Sequence, residues 1–402
     1  MIRLFFSFLC ILLGFVSVAN AAAPQLKSQS WILVDRLTHT TLANKNADVR
    51  TNPGNTVLLM VLYTAEKAIN EKIISRTSSI TVNNDALSIP PLNAARFYLE
   101  PNQSVTVSDL EKAIAVMGAN DAAVALAEGI YQTIDRFVEK MNENAKKLGM
   151  KNTHYTSLIG TNDKNQYSTA RDTLILANAL LNDCPELSDI WTIKSLNNGV
   201  LNHNNSNSFL WRTESIRGLH RSHFQMKSWD SVIYYSRDYV EADTRFSREL
   251  LAVTLGAESD RQNTDDTMKL VNWGADNYKT LLLYPALETI DRLPVELTDD
   301  GKVRVGVKEN VYVTLPRDAI LQKGMKGFSA TVSRLDPLVA PIKEGERIGE
   351  ITVFFNKKIV AKSELVALHD VQKSNFWRRQ YQRLKALVGL QWSYYETRKR
   401  IA

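Results

Sequence analysis

One short stretch of the chain combines a helix start with two positions that could hold a nucleophile and its base. Asn52-Pro53-Gly54-Asn55-Thr56 precedes an apolar segment that runs from Val57 to Ile69. Pro and Asn favour helix starts, and the nearly continuous apolar segment predicts a helix buried inside a domain. A serine at such a start and a lysine one turn later can form a covalent catalyst, because the amine accepts the hydroxyl proton. Asn55 and Leu58 occupy these two positions.

The rest of the sequence does not supply the missing pair. Reading back three residues from each lysine never reaches a serine, so Ser-x-x-Lys does not occur. Thr64 and Lys67 have the spacing with threonine but lie inside the predicted buried helix, and Thr161 and Lys164 lie in a polar loop. Neither pair is at a helix start, so neither is predicted to act as nucleophile and base.

The neighbouring elements are predicted to bring further polar residues close to this helix start. Trp31 to Asp35 is a strand-like run that predicts the first half of a hairpin. Ser108 and Glu111 have the spacing of a capping box, which predicts that the next helix begins at Ser108. Gly118-Ala119-Asn120 interrupts that helix, and such an elbow can present a side chain to a cleft.

Two longer phrases carry a resemblance to a known family. Leu148-Gly149-Met150-Lys151-Asn152-Thr153-His154 and Tyr167-Ser168-Thr169-Ala170-Arg171-Asp172 follow the strand and the helix start in the same order as in the low-molecular-mass penicillin-binding proteins. The chain thus resembles the D-alanyl-D-alanine carboxypeptidases of the bacterial periplasm from about Ser30 to its tail. The resemblance implies an α/β (α+β) fold: a serine β-lactamase/transpeptidase-like domain, a small all-β sandwich and a C-terminal amphipathic helix. It indicates fold and ancestry, since none of these phrases performs chemistry.

The resemblance also locates three catalytic motifs, and none of them is intact here. The matching positions are Asn55 and Leu58 for Ser-x-x-Lys, Gly118 and Asn120 for Ser-x-Asn, and His220, Arg221 and Ser222 for Lys-Thr-Gly. In the family, the third motif lies on an edge strand and offers donors to the terminal carboxylate of the substrate. The changed positions predict a catalytically inactive homologue that binds peptidoglycan stem peptide or a cell-wall protein. The alternatives are an active carboxypeptidase with Thr56 or Ser222 as its nucleophile, and a decayed protein without a selected function.

Candidate ligand-binding residues follow from the charge near the third motif. They are Asn120, Arg217, His220 and Arg221, because an arginine can bind a carboxylate through two hydrogen bonds. A solvated basic turn is the alternative interpretation. No cofactor is expected, and no metal site is predicted, because the histidines near Trp229 lack a third ligand at a plausible spacing.

The first residues indicate export. Arg3 precedes an apolar run from Leu4 to Val18, and small residues follow it, so residues 1–21 are predicted to be a secretory signal peptide and the protein to be periplasmic. An uncleaved membrane anchor is the alternative. Cys184 is then the only cysteine of the mature chain, and we expect it to be a buried small hydrophobe.

The remaining sequence predicts three further segments, residues 22–292, 293–370 and 371–402. Short β-like segments separated by turn residues follow Leu293 and predict a β-sandwich domain there. The last segment carries a charge of +7, from eight basic residues and Glu396. Because Arg3 in the predicted signal peptide adds one more positive charge to a total of +6, residues 22–370 carry a net charge of −2. This distribution argues against nucleic acid as a partner. An aromatic stripe predicts an amphipathic helix on the inner-membrane surface or docked on the β domain: Trp377, Tyr381, Leu384, Val388, Trp392 and Tyr395.

Overall fold

The computed structural model describes residues 22–199, 201–224, 228–241, 244–374 and 393–400. In these ranges the helices are α1 (Val57–Asn70), α2 (Asn84–Ser88), α3 (Val107–Met117), α4 (Asn120–Tyr131), α5 (Ile134–Lys147), α6 (Ala170–Asp183), α7 (Asp260–Asn277) and α8 (Arg317–Lys323). The strands are β1 (Ser30–Asp35), β2 (Thr40–Lys45), β3 (Ser79–Thr81), β4 (Ser104–Thr106), β5 (Ser195–Asn197), β6 (Asn202–Asn204), β7 (Ile216–Phe224), β8 (Ser228–Glu241), β9 (Thr244–Ala257), β10 (Tyr278–Tyr284), β11 (Asp291–Glu296), β12 (Lys302–Val307), β13 (Val311–Pro316), β14 (Phe328–Asp336), β15 (Leu338–Val339), β16 (Arg347–Phe355), β17 (Lys358–Ala367) and β18 (Ser393–Arg400).

Helix α1 is the centre of the helical part of the molecule. Every residue from Val57 to Glu66 is buried, and the helix packs against α3, α4, α5 and α6. The chain enters it through a short 3-10 turn, Gly54–Thr56, and the Gly54 N–H donates to Asn52 Oδ1 at 2.9 Å. The predicted buried helix and its Asn-assisted start are therefore confirmed.

An antiparallel five-stranded sheet lies beside these helices, in the order β2-β1-β9-β8-β7. Alternate residues of β9 face opposite sides of the sheet, as the pleat requires. Leu251 and Val253 join the core around α1, whereas Leu250 and Ala252 pack in a second core with Leu270 of α7. The predicted hairpin is β1–β2, and β7 is the edge strand that carries the third motif position.

The predicted elbow between two helices is present, but the predicted capping box is wrong. Helix α3 begins at Val107, and Thr106 caps it by accepting from the Asp109 N–H at 3.1 Å. Glu111 is fully buried and pairs with Arg76 at 3.0 Å, so its carboxylate is turned into the protein instead of back to the helix start. The helix ends at Gly118, where φ is +68° and glycine is favoured.

The C-terminal part contains the predicted β domain. Its seven-stranded sheet has the order β15-β11-β12-β17-β16-β14-β18, and β10 and β13 form a separate pair. Because β10 already pairs with β13, we propose that this domain begins at Tyr278, upstream of the predicted boundary at Leu293. The short helix α8 between β13 and β14 was not predicted.

The predicted tail helix is wrong at its far end. Ser393–Arg400 is a strand that pairs antiparallel with β14, from Ser329 opposite Arg400 to Asp336 opposite Ser393. An edge strand leaves backbone donors and acceptors unpaired, and β18 satisfies those of β14. Tyr395 therefore lies in a strand, while residues 375–392 and the predicted signal peptide lie outside the described residues. Across the described ranges, every helix is too short or too polar to span a bilayer.

Candidate functional site

A cavity of about 220 Å³ lies where the start of α1, the α3–α4 elbow and the edge strand β7 meet. The lining residues include members of all three predicted motif positions. The full lining set is Asn55, Pro91, Asn93, Ala94, Ala95, Met117, Gly118, Asn120, Gly160, Ser206, Arg221, Ser222 and His223. The fold thus brings together five of the residues that the sequence placed at a common site: Asn55, Gly118, Asn120, Arg221 and Ser222.

Leu58 and His220 lie next to Gly118, behind the part of the cavity wall that Gly118 forms. A Cβ built on Gly118 would lie 3.8 Å from Leu58 Cδ1 and 3.8 Å from His220 Cε1. Leu58 and His220 are both buried, and neither lines the cavity. Three motif positions are therefore adjacent. Leu58 stands at the position of the base, Gly118 at that of the hydroxyl and His220 at that of the cation.

Asn55 stands at the position of the nucleophile and has a structural role. Its Nδ2 donates to the His223 carbonyl oxygen at 3.1 Å, and the Gly160 N–H donates to its Oδ1 at 3.3 Å. The carboxamide thereby ties the start of α1 to β7 and to the loop at Gly160. The neighbouring Thr56 hydroxyl is buried and donates to the Pro53 carbonyl at 2.6 Å, so it is committed to the helix start.

Asn120 keeps the amide of the second motif, and that amide is engaged by the backbone. Its Nδ2 donates to the carbonyl oxygens of Ala95 at 3.2 Å and Gly118 at 3.1 Å. These contacts hold the loop from Pro91 to Ala95 against the elbow. Asn120 lines the cavity, as the binding prediction requires, but its amide N–H groups already donate to backbone carbonyls of the cavity wall.

Arg221 is buried, and its guanidinium points towards the start of α7. Nε donates to Asn263 Oδ1 at 3.2 Å and Nη1 to Ser208 Oγ at 3.0 Å. Nη2 donates to Thr264 Oγ1 at 3.1 Å and forms an ion pair with the Asp260 carboxylate. Arg221 is therefore a buried link between β7 and α7, which argues against its predicted role as a direct ligand of a carboxylate.

The other two basic candidates, unlike Arg221, lie outside the cavity lining. Arg217 is exposed. His220 is buried, and this burial lowers its pKa to about 4, although hydrogen bonding to the Asn55 backbone partly opposes the shift. The imidazole is neutral at pH 7, so the cluster of positive charge that the sequence predicted is not assembled here.

Three polar atoms at the cavity wall lack a hydrogen-bond partner among the described residues. They are Ser206 Oγ, Ser222 Oγ and His223 Nδ1, and each of these atoms is buried. The His223 ring packs on Trp229 at a centroid distance of 4.8 Å. Burial, assisted by the charge of Arg221, lowers the pKa of His223, so this ring is also neutral at pH 7. The hydrogen-bonding capacity of these three atoms is therefore unused within the described residues.

Sequence reasoning missed Ser206 and Asp260. Ser206 follows β6 in a polar run without a motif, and only the fold brings it to the cavity. Asp260 begins α7 after its cap, Ser259, which is the one local signal that could have located the helix start. Within the described ranges, His, Cys, Asp and Glu side chains form no group of three or more that could hold a metal ion. Cys184 is buried as predicted, and burial raises its pKa to about 12.

The arrangement of these elements is that of the penicillin-binding class of proteins. The structure matches penicillin-binding protein 5 of Haemophilus influenzae with a TM-score of 0.74 and 27% identity, over 88% of this chain and 100% of that chain. It matches penicillin-binding protein 6B of Escherichia coli with a TM-score of 0.67 and 26% identity, over 86% of this chain and 97% of that chain.

Family models and a curated relative agree with this class. Residues 17–224 match the D-alanyl-D-alanine carboxypeptidase model, and residues 278–373 match the model for the penicillin-binding protein 5 C-terminal domain. D-alanyl-D-alanine carboxypeptidase DacC of Escherichia coli K12 is 29% identical over 379 residues, which cover 93% of this chain and 92% of the relative. The chain belongs to the D-alanyl-D-alanine carboxypeptidase family, which confirms the resemblance seen in the sequence.

Proposed function

We propose that this protein is a catalytically inactive member of the family that binds peptidoglycan peptide without hydrolysing it. The observation that carries the proposal is that Leu58 and His220 both lie next to Gly118, at the positions where the family motifs supply a base, a cation and a hydroxyl. Loss of a nucleophile or its base costs a serine hydrolase on the order of 10⁶ in turnover, because these groups act as a unit. Asn55 cannot form an acyl-enzyme, and Leu58 cannot accept a proton.

Retention of the cavity supports binding over simple decay. A buried polar atom without a partner costs roughly 1–3 kcal/mol, so such atoms are uncommon unless a ligand, an ion or water satisfies them. Ser206, Ser222 and His223 contribute three of them to one wall. The curated relative is named a D-alanyl-D-alanine carboxypeptidase, so we propose the stem peptide as the ligand, with a cell-wall protein as the second candidate.

Penicillin acylation tests the absence of a nucleophile. The mature protein is incubated with benzylpenicillin and weighed by intact mass spectrometry, beside DacC of Escherichia coli. We expect a covalent adduct on DacC and none on this protein. A stoichiometric adduct would contradict the proposal, and its loss in Ser222→Ala or in Thr56→Val would identify the non-standard nucleophile. Ser222 lines the cavity and its hydroxyl has no hydrogen-bond partner among the described residues, whereas the Thr56 hydroxyl donates to the Pro53 carbonyl.

We also propose that the protein is exported to the periplasm and lies at the outer face of the inner membrane. The apolar run near the start supports export, and the tail charge of +7 supports attraction to anionic lipid of about 1 kcal/mol per basic residue. Deletion of residues 374–402 should release the protein from the membrane fraction into the soluble periplasmic fraction.

The deletion also removes β18, so a charge variant is the matched control. Replacing Arg378, Arg379 and Arg383 with glutamate leaves the sequence of β18 unchanged and should give the same release. Membrane retention in both variants would instead favour a tail that is docked on the β domain.

A further inference from the structure

Formal charge at the cavity wall is balanced before any ligand enters. Of the residues that line the cavity in the described part of the chain, Arg221 alone carries a formal charge. Asp260 forms an ion pair with it, and three further side chains accept from the same guanidinium. The wall therefore presents a neutralised cation, in contrast to the cationic donor that the family motif implies for a terminal carboxylate.

The unpartnered polar atoms of the lining residues match an amide better than a carboxylate. A hydroxyl can donate or accept, and Nδ1 of a neutral imidazole donates in one tautomer and accepts in the other, so Ser206, Ser222 and His223 can satisfy both the N–H and the C=O of an amide. A carboxylate only accepts, and it would bring a negative charge to a site whose cation is already paired. Removing that charge from water without a free counter-charge is costly.

We propose that this cavity selects a peptide with an uncharged amide in place of the terminal carboxylate of D-alanyl-D-alanine, and that the Arg221–Asp260 pair sets this selectivity. The inference rests on the proposed function, since it concerns the peptide that the inactive site binds. The amide can come from an amidated chain end or from an interior peptide bond.

Calorimetric titration of the mature protein at pH 7 tests the selectivity with three matched probes. They are acetyl-lysyl-D-alanyl-D-alanine as its free carboxylate, as its carboxamide and as its N-methylamide. We expect one of the neutral peptides to bind roughly tenfold or more tightly than the carboxylate. A tighter carboxamide identifies an amidated end, and a tighter N-methylamide identifies an interior bond.

Asp260→Asn tests whether the ion pair sets the preference. The Asp260 side chain is 58% exposed, so this isosteric change is compatible with folding, and it leaves the charge of Arg221 without its partner. We expect the preference for the neutral peptide to fall by about tenfold, through tighter binding of the carboxylate. Asp265→Asn is the matched control, because Asp265 is an exposed acid on the same helix that pairs with Arg261, and it should leave the preference unchanged.

The outcomes separate the two proposals. A carboxylate that binds as tightly as the neutral peptides would overturn the selectivity while leaving a non-hydrolysing binder in place. An Asp260→Asn protein that folds normally, as checked by circular dichroism, but keeps the original preference would overturn the role of the ion pair. Absence of binding by all three probes at millimolar concentration would overturn stem-peptide binding itself.

Discussion

The polar cluster around Asp172 and the cavity at the start of α1 both lie in the part of the structure that precedes the β domain. In the cluster, Asp172 Oδ2 accepts from the Asn152 N–H at 2.7 Å and from the Thr153 hydroxyl at 2.8 Å. Thr153 and Ser168 share a further hydrogen bond of 2.9 Å, and the Asp172 N–H donates to its helix cap, Thr169, at 3.0 Å. At the cavity, polar atoms of three wall residues have no such partner within the described ranges of the chain.

This contrast distinguishes polar residues that maintain the fold from those that serve a ligand. The cluster lies in the two sequence segments on which the family resemblance rests. Its hydrogen bonds join the loop after α5 to the start of α6. Each of these polar groups has a hydrogen-bond partner within the cluster. The cavity keeps its shape through Asn55 and Asn120 but leaves hydroxyl and imidazole groups unsatisfied. The hydrogen bonds of the cluster are therefore complete without a ligand, whereas three polar atoms of the cavity wall have no partner among the described residues.

Restoring the lysine of the first motif should have the largest effect on stability. Leu58→Lys places an ammonium group at a buried position beside Gly118 and the neutral His220, neither of which carries a compensating charge. We expect a loss of roughly 4–5 kcal/mol in the free energy of unfolding, measured by urea denaturation, because the charge is buried and uncompensated. Leu58→Met, which conserves volume, should lose less than about 1.5 kcal/mol. Equal stability of the lysine variant and the native protein would show that the site still accommodates the catalytic base.

Breaking the polar cluster should have the next largest effect. Asp172→Ala leaves the Asn152 N–H and the Thr153 hydroxyl without their acceptor, so we expect a loss of roughly 3–4 kcal/mol. Urea denaturation measures it, and Asp189→Ala, at an exposed position, should change stability by less than about 0.5 kcal/mol. A small loss at Asp172 would remove the distinction between the two regions.

Acid should destabilise the cavity region through His220. Its folded pKa of about 4 lies below the ordinary 6.5, so the unfolded chain takes up a proton first as the pH falls. The contribution of the neutral His220 imidazole to the free energy of unfolding is therefore complete above pH 6.5. It decreases by up to about 3 kcal/mol as the pH falls to about 4. Burial raises the pKa of Asp230 to about 6, which acts in the opposite direction.

The pH effect of His220 is therefore measured as the difference in the free energy of unfolding between the native protein and His220→Gln. We expect the native protein to lose up to about 3 kcal/mol relative to this variant when denaturation is repeated at about pH 7, 5.5 and 4. The effect of Asp230 cancels in this difference. A difference that does not vary with pH would show that the imidazole is not held neutral.

The smallest effect is expected at Arg217. This residue is exposed and does not line the cavity, so Arg217→Ala should change the affinity for the carboxamide and carboxylate peptides by less than about twofold. Calorimetric titration measures both. A loss of affinity for the carboxylate alone would restore the carboxylate-binding role that the sequence predicted for this arginine.

Local patterns predicted the elements that surround the site. A continuous apolar run predicted α1, Gly118 predicted the elbow, and the position of His220 on an edge strand followed from the family motifs. Patterns that depend on the direction of a side chain failed. Glu111 has capping-box spacing but pairs with Arg76, and the periodicity that included Tyr395 in a helix ends in a strand because β14 offers an open edge.

The sequence by itself determined the family, the buried helix and the replacement of the nucleophile and base at Asn55 and Leu58, because each depends on residue identity or on local spacing. Only the tertiary structure decided what the replacements do together. Arg221 and Asp260 are distant in the chain, and their pairing depends on how α7 packs beside β7. The same packing buries His220 and brings Ser206 to the cavity, so the charge and the free hydrogen-bonding atoms of the site are properties of the fold.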